Sequence, residues 1–337
     1  MTTVRDTLQR PLRDLRISVT DRCNFRCVYC MPREVFGPDF AFLPRDEILS
    51  FEEIQRLTRI FVDLGVRKLR ITGGEPTVRH ELEALIGLLS EVDGVEDIAM
   101  TTNAVLLPFK AQALKDAGLG RITISLDAIH DETFQAMNGV GFPVSRVLEG
   151  IEAAERAGLS PIKINMVVKR GLNDHEILSM ADHFRHTDHI LRFIEFMDVG
   201  TTNGWRLDDV VPAKEIVETI QTQWPLEPLD PNYAGEVASR YRYVDGGGEI
   251  GVIASVSQPF CRTCTRARIT ADGELFTCLF GAQGRDLKAL LRSGASDAEI
   301  KAELTGIWRR RGDRYSELRT DETAELKPKA EMSRLGG

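Results

Sequence analysis

Leu15-Arg16-Ile17-Ser18-Val19-Thr20 alternates apolar with polar side chains and runs directly into Asp21-Arg22-Cys23-Asn24-Phe25-Arg26-Cys27-Val28-Tyr29-Cys30. A period of two is the signature of a β-strand with two unlike faces. The three cysteines therefore sit just past the C-terminal end of a strand, in the arrangement C-x3-C-x-Y-C. Three thiolates are one fewer than a closed iron–sulfur cluster or a structural zinc takes. A cubane held by three protein sulfurs leaves one iron open to a ligand. A zinc knuckle completed from elsewhere and plain buried thiols are the alternatives.

Working outward, Leu69–Thr72, Asp97–Asn103, Arg121–Asp127, Ile162–Val168 and Leu191–Met197 read as further strands, with a helical pattern between each consecutive pair. The first helix is the clearest. Ser50 and Glu53 form an S-x-x-E capping box flanked by Leu49 and Ile54, and Ile54, Leu57, Phe61 and Leu64 follow at helical spacing before Gly65. Helices also fit Leu82–Val92, Pro108–Ala117, Ser145–Ala157 and Asp174–Thr187. Strands alternating with helices give a parallel sheet. The fold class is α/β: an incomplete (β/α)6 version of the eight-stranded barrel over residues 1–198, then an α+β extension over 199–337 that closes the barrel and is punctuated by Pro212, Pro225, Pro228 and Pro231. Within that extension Tyr241–Val244 and Glu249–Val256 read as short strands around a Gly246-Gly247-Gly248 turn.

Parallel strands covered on both faces are nearly continuous apolar runs. These strands are not. Arg16, Ser18 and Thr20 share one face of the first, Lys68, Arg70 and Thr72 one face of the second, Arg121, Thr123, Ser125 and Asp127 one face of the fourth, and Lys163 and Asn165 one face of the fifth. A half-exposed antiparallel sheet would alternate likewise, but the intervening helices favour a barrel whose interior is a polar chamber for a large anionic ligand. The sixth strand does not alternate cleanly and fixes no facing for Arg192 or Met197. Gly73-Gly74-Glu75-Pro76, Thr101-Thr102-Asn103 and Ser125-Leu126-Asp127 end the second, third and fourth strands, where barrel chemistry collects. Gly-Gly-Glu alone is most often a turn; beside the cysteines its glycines permit close approach of backbone to a ligand.

With 337 residues, 42% hydrophobic and 28% charged, the composition is that of an ordinary globular protein. Forty-three basic against 51 acidic residues give a net charge of −8, which favours neither nucleic acid nor an anionic membrane. No apolar run reaches the ~18 residues of a membrane span, and a cytoplasmic address is the expectation. All six cysteines fall into two triads, the second being Cys261, Cys264 and Cys278 in the spacing C-x2-C-x13-C. In a reducing compartment such groups point to metal rather than disulfides. Zinc competes for the second triad, yet no fourth cysteine exists and the last histidine is His189. Arg266 and Arg268, two residues apart in an extended segment, point the same way, and guanidiniums grip phosphates bidentately. No G-x4-G-K-[ST] phosphate loop occurs. Trp308-Arg309-Arg310-Arg311 reads as a solvated helix end.

The Cys23–Cys30 motif with its Met31-Pro32 ending resembles the radical S-adenosylmethionine (SAM) enzymes. The Leu15–Asn24 opening, the second triad followed by Arg266-Ala267-Arg268, and Gly336-Gly337 at the end narrow the resemblance to the GTP 3′,8-cyclases of molybdenum cofactor biosynthesis, over essentially the whole chain. That resemblance implies two [4Fe–4S] clusters, SAM as the source of a 5′-deoxyadenosyl radical that removes the 3′ hydrogen of GTP, and closure of a bond from C3′ to guanine C8. It places the SAM cluster on Cys23, Cys27 and Cys30 and the second cluster, beside the guanine, on Cys261, Cys264 and Cys278. SAM contacts fall on Tyr29, Gly74, Ser125 and Met197. GTP contacts fall on Arg16, Lys68, Arg70, Thr101, Lys163, Arg192, Arg266 and Arg268, with Arg16, Arg266 and Arg268 closest to the chemistry. An external low-potential electron donor and a downstream cyclic pyranopterin monophosphate synthase are the implied partners, and a homodimer is left open. The terminal Gly336-Gly337 is expected to reach into the active site. Ala104 stands where that family commonly has glycine, a change expected to matter little because alanine is nearly as small.

Overall fold

The computed structural model describes residues 3–320 and 329–336. Six strands and the helices between them make the first half: β1 (Asp14–Ser18), α1 (Phe51–Asp63), β2 (Lys68–Thr72), α2 (Leu82–Ser90), β3 (Asp97–Thr102), α3 (Leu107–Asp116), β4 (Arg121–Ser125), α4 (Asp131–Asn138), α5 (Ser145–Arg156), β5 (Ile162–Val168), α6 (Ile177–Phe184) and β6 (Ile190–Glu195). Neighbouring strands from β1 to β6 pair in parallel. Leu15, Ile17, Leu69, Ile71, Ile122, Ile124, Ile162 and Ile164 form one core with Leu57, Phe61, Leu85, Leu89, Leu114 and Met180 of the covering helices. Burial of this apolar face, at roughly 25 cal/mol per Å2, leaves the opposite face of the sheet to its cations and hydroxyls. At the start of α1 the capping box is complete: Glu53 N donates to Ser50 Oγ at 3.2 Å and Ser50 N to Glu53 Oε2 at 2.8 Å.

The rest of the chain adds α7 (Ala213–Gln221), β7 (Leu226–Leu229), β8 (Ser239–Tyr243), β9 (Glu249–Ile253), β10 (Arg266–Ile269), β11 (Glu274–Phe276), β12 (Arg285–Asp286), α8 (Leu287–Arg292), α9 (Asp297–Arg310), α10 (Tyr315–Leu318) and α11 (Met332–Leu335). The sheet order is β12-β11-β10-β1-β2-β3-β4-β5-β6-β9-β8-β7. The expected closing of the barrel therefore does not take the form of strand pairing. The C-terminal strands widen both edges, β10 running parallel to β1 and β9 parallel to β6.

Strand ends and one helix differ from the sequence reading. β4 stops at Ser125 and β6 at Glu195, so Asp127 and Met197 leave the sheet in loops. The helix α4, unforeseen, is eight residues long and buries Thr133, Phe134, Met137 and Asn138. Its C-terminal carbonyls receive the first cysteine loop: Arg26 N donates to Asn138 O at 2.9 Å and Val28 N to Met137 O at 3.2 Å.

Ala104 is the second correction. Its φ is +66°, in the left-handed region, so the cost of alanine there comes from backbone conformation rather than size. The left-handed region costs a residue with a Cβ about 1–2 kcal/mol, part of which glycine returns through its freer unfolded chain. Ala104→Gly is therefore expected to raise the unfolding free energy by about 0.5–1 kcal/mol, measurable as a higher denaturant midpoint; an unchanged or lower midpoint would contradict the strain.

Candidate active site

The polar strand faces line one cleft with about 1530 Å3 of empty space, part of it open to solvent. Arg16, Lys68, Arg70, Thr101, Lys163, Arg192, Arg266 and Arg268 all face it, and so do Cys261, Cys264 and Cys278. The alternation of the strands thus places the cations where the sequence put them, and Arg192, whose facing the sequence left open, joins them.

Strand register sets the cations side by side. Arg16 is directly opposite Arg268 on one neighbour and Arg70 on the other, giving a row of three guanidiniums across β10, β1 and β2. Burial, then Arg268, Arg70 and Arg266, holds Arg16 well below its ordinary value. Burial and Arg266 push Arg268 down to about 10, and burial and Arg121 do the same to Arg70. Burial with Arg70 takes Arg192 to about 9, and burial with Arg192 and Arg121 takes Lys163 to about 8. Neutral groups orient several of them. Arg70 Nη1 donates to Thr101 Oγ1 and Thr123 Oγ1, each at 3.2 Å, and Arg192 Nε donates to Asn165 Oδ1 at 3.0 Å. Asp14 and Glu236 also line the cleft. Tyr233 covers Lys68, whose Nζ lies 4.0 Å from the ring centroid. No periodicity in the sequence marks Tyr233 or Glu236. Arg121, on the polar face of β4, lines the cleft paired to Asp97.

The second triad is held at the ends of the β10–β11 hairpin. Cys261 opens a single 3-10 turn, Cys264 lies two residues before β10, and Cys278 two after β11. Cys264 Sγ accepts from Arg266 Nη2 at 3.4 Å and from Arg311 Nη2 at 3.3 Å. As a free thiol, burial opposes its ionisation, yet Arg266 and Arg311 outweigh that and lower it to about 6. Trp308 and Arg311 overturn the reading of a solvated helix end: both are buried, the indole N–H donating to Arg10 O at 3.1 Å, while Arg309 and Arg310 are exposed. The missed signal was the spacing Ile300, Leu304, Trp308 on the inner face of α9.

The first triad stands in the opposite electrostatic setting. Burial, then the Glu75 carboxylate, pushes Cys23 up to about 12, and Cys27 and Cys30 are raised too, chiefly by burial. Tyr29 donates its hydroxyl to Asp127 Oδ2 at 2.9 Å. Glu75, fully buried, accepts from Thr77 Oγ1 and Thr102 Oγ1 at 2.6 Å each and from Asn103 N at 2.7 Å, which ties the ends of β2 and β3 together. The close approach made by Gly74 is to the cysteine loop itself, since a Cβ there would lie 2.4 Å from Arg22 O. Ser125 ends β4 opposite Asn165. Of the expected SAM contacts, Met197 alone also lines the large cleft; Tyr29, Gly74 and Ser125 lie outside its lining. Gly336, at φ +68°, packs on Thr72 at the end of β2, and Gly337 lies outside the described residues.

All six cysteines are unpaired and half-buried. Among the described residues, no three or more His, Cys, Asp or Glu converge as donors to a single metal ion. Three soft thiols per triad suit an iron–sulfur cluster whose ligands are spread over several irons. Among the described residues no helix is long and apolar enough to cross a membrane.

Comparison with known proteins bears on both halves. The profile of the radical SAM superfamily matches residues 17–184, and that of Molybdenum Cofactor Synthesis C matches residues 189–317. A protein of Acidothermus cellulolyticus named GTP 3′,8-cyclase is 54% identical, over 99% of this chain and 94% of its own length. One of the same name from Staphylococcus haemolyticus is 48% identical over 99% of both chains. Among solved structures, Streptococcus suis SuiB bound to S-adenosylmethionine superposes with a TM-score of 0.61 at 16% identity, covering 87% of this chain and 68% of its own. That likeness concerns the fold alone.

Proposed function

The chain belongs to the GTP 3′,8-cyclase family of radical SAM enzymes, and we propose that the cation-lined cleft is where its GTP is held between two clusters. It is an enzyme of molybdenum cofactor biosynthesis that forms (8S)-3′,8-cyclo-7,8-dihydroguanosine 5′-triphosphate from GTP. When bound, the [4Fe–4S] cluster on Cys23, Cys27 and Cys30 together with SAM supplies a 5′-deoxyadenosyl radical. Tyr29, Gly74, Ser125 and Met197 are the proposed SAM contacts.

The observation that carries the reading is the row Arg268–Arg16–Arg70, with Lys163, Arg192 and Lys68 on the same cleft. Such repulsion between buried like charges is relieved by a polyanion, and a triphosphate brings one. Thr101 orients Arg70, while Arg266 and Arg268 reach from the triphosphate side toward the second triad. We assign Cys261, Cys264 and Cys278 as the residues that would hold a second [4Fe–4S] cluster, which would supply an anchor for the guanine base on this side of the cleft and so help hold C8 near C3′. The division at residue 198 follows: the first part generates the radical and the second holds the base.

The electron count needs one electron to cleave SAM and a second, with a proton, to quench the radical left after C3′ bonds to C8. An external low-potential donor supplies both, and a cyclic pyranopterin monophosphate synthase consumes the product. Anaerobic incubation of the reconstituted protein with GTP, SAM and dithionite tests the reading. The expected mass-spectrometric result is a product isomeric with GTP, formed with 5′-deoxyadenosine; 5′-deoxyadenosine without any GTP-derived product would count against it.

A further inference from the structure

Beneath the second triad, on the side away from the cleft residues, the two ends of the chain meet in a buried charge group. Asp6, Arg10 and Arg311 are each less than 5% exposed. Asp6 Oδ2 accepts from Arg10 Nε at 2.5 Å and from Arg311 Nη1 at 3.1 Å, while its Oδ1 accepts from the backbone N–H groups of Leu8 and Arg10 at 2.9 Å each. Other guanidinium N–H groups go to the peptides that carry the cysteines and to Asp313, whose carbonyl accepts from Arg10 Nη1 at 2.8 Å and whose Oδ2 accepts from Arg311 Nε at 3.2 Å, while Arg10 Nη2 is buried without a hydrogen-bond partner. Arg10 Nη1 donates to Cys261 O at 2.6 Å, and Arg311 Nη1 to Cys264 O at 2.8 Å. Arg311 Nε donates to Thr277 O, next to Cys278, at 3.1 Å, and its Nη2 donates to Cys264 Sγ at 3.3 Å. Two arginines thus reach all three cysteine segments, with the Asp6 carboxylate between the two cations and the Asp313 carboxylate on the far N–H of Arg311.

We propose that Asp6, Arg10 and Arg311 form a positioning unit for the second triad, in which the guanidiniums fix its peptide groups and Arg311 raises the reduction potential of the cluster held there. This rests on the reading of Cys261, Cys264 and Cys278 as cluster ligands. Three thiolates make such a cluster anionic, and more so when reduced. A buried cation and an N–H bond to a ligand sulfur both favour the reduced form. The first triad has three carboxylates, Glu75, Asp127 and Glu331, and the cation Arg26 as charged neighbours, and among the described residues no guanidinium bond to one of its thiols like that of Arg311 is seen, so the unit sets the second cluster apart. Ordinary fold stabilisation would account for the buried ion pairs but not for a bond to the thiol.

Redox titration of the doubly reconstituted protein, followed by electron paramagnetic resonance, tests this, with added SAM marking the first cluster's signal. Arg311→Gln is expected to move the second cluster to lower potential and leave the first unmoved. Asp6→Asn, which removes the negative charge between the cations, is expected to move it higher. Arg311→Lys keeps the cation without the fork and should fall between wild type and Arg311→Gln. Opposite shifts in the Asp6 and Arg311 variants are something a merely structural role would not produce. Unchanged potentials, or shifts of the same sign in Arg311→Gln and Asp6→Asn, would overturn the inference. Should Arg311→Gln fail to fold, the opposed signs expected of Asp6→Asn and Arg311→Lys carry the same test. A wild-type protein that binds iron and sulfide for one cluster only would instead sink the second-cluster reading.

Discussion

Cys264→Ala is expected to abolish formation of the cyclised nucleotide while 5′-deoxyadenosine is still produced, whereas Cys27→Ala is expected to abolish both. The split follows from where the two triads sit. Cys27 lies in the loop after β1, supported by the carbonyls of α4 and by the Gly74 backbone, with no second-triad residue among those partners. Cys264 precedes β10 and faces the cleft with Arg266. Loss of the second cluster removes the proposed anchor of the guanine, and a reacting carbon displaced by about 1 Å can cost some 100-fold. Cyclisation should therefore fall at least ~100-fold in Cys264→Ala, with radical generation kept within a few-fold. Mass spectrometry of both products in one reaction reads the ratio. Cyclisation retained in Cys264→Ala would remove the second cluster from the mechanism; SAM cleavage retained in Cys27→Ala would do the same for the first.

The polar face of the barrel was legible because a strand's period of two carries its facing with it. Arg16, Arg70 and Lys163 could be aimed inward from their apolar neighbours alone. Arg192 could not, since Leu191, Phe193, Ile194 and Glu195 around it obey no period of two; hydrogen bonds to Asn165 on β5 and Thr123 on β4 settle it. What the sequence withheld was non-local. Nothing in Arg266–Ile269 says that it pairs with β1, yet that pairing brings Arg268 beside Arg16. Helix α4 is too short to show a helical period, and its role is to offer carbonyls to a loop about 110 residues earlier in the chain. Arg311 was misjudged because arginine runs are normally solvated. Its burial depends on Asp6, at the other end of the chain. Ala104 was misjudged by weighing side-chain size where the deciding variable was φ.

GTP affinity is expected to fall as pH rises above about 8, while the stability contributed by the same site rises. Lys163 carries the first effect. Burial, reinforced by Arg192 and Arg121, brings it down to about 8 in the free protein. A bound triphosphate favours the ammonium form, so binding above that pH must first load a proton onto Lys163. Affinity should be flat below about 8 and then decline by up to about tenfold per pH unit, until the bound-state value is passed. Arg192, brought to about 9, adds a second proton at higher pH. Lys163→Arg places a cation with a far higher intrinsic value at the position, so its affinity should stay level through the first part of the window. Stability takes the other sign. An unfolded lysine keeps its proton to about 10.4, so between about 8 and 10.4 the unfolded chain holds more protons, and this group's contribution to folding rises with pH. Calorimetric titration with GTP from pH 7 to 9.5 at fixed ionic strength, beside denaturant unfolding at the same pH values, separates the two. A flat wild-type affinity through that range, or a Lys163→Arg profile identical to wild type, would show that Lys163 does not face the triphosphate. Opposed trends would mean that repulsion held among the cations of the empty cleft is released by the ligand that neutralises it.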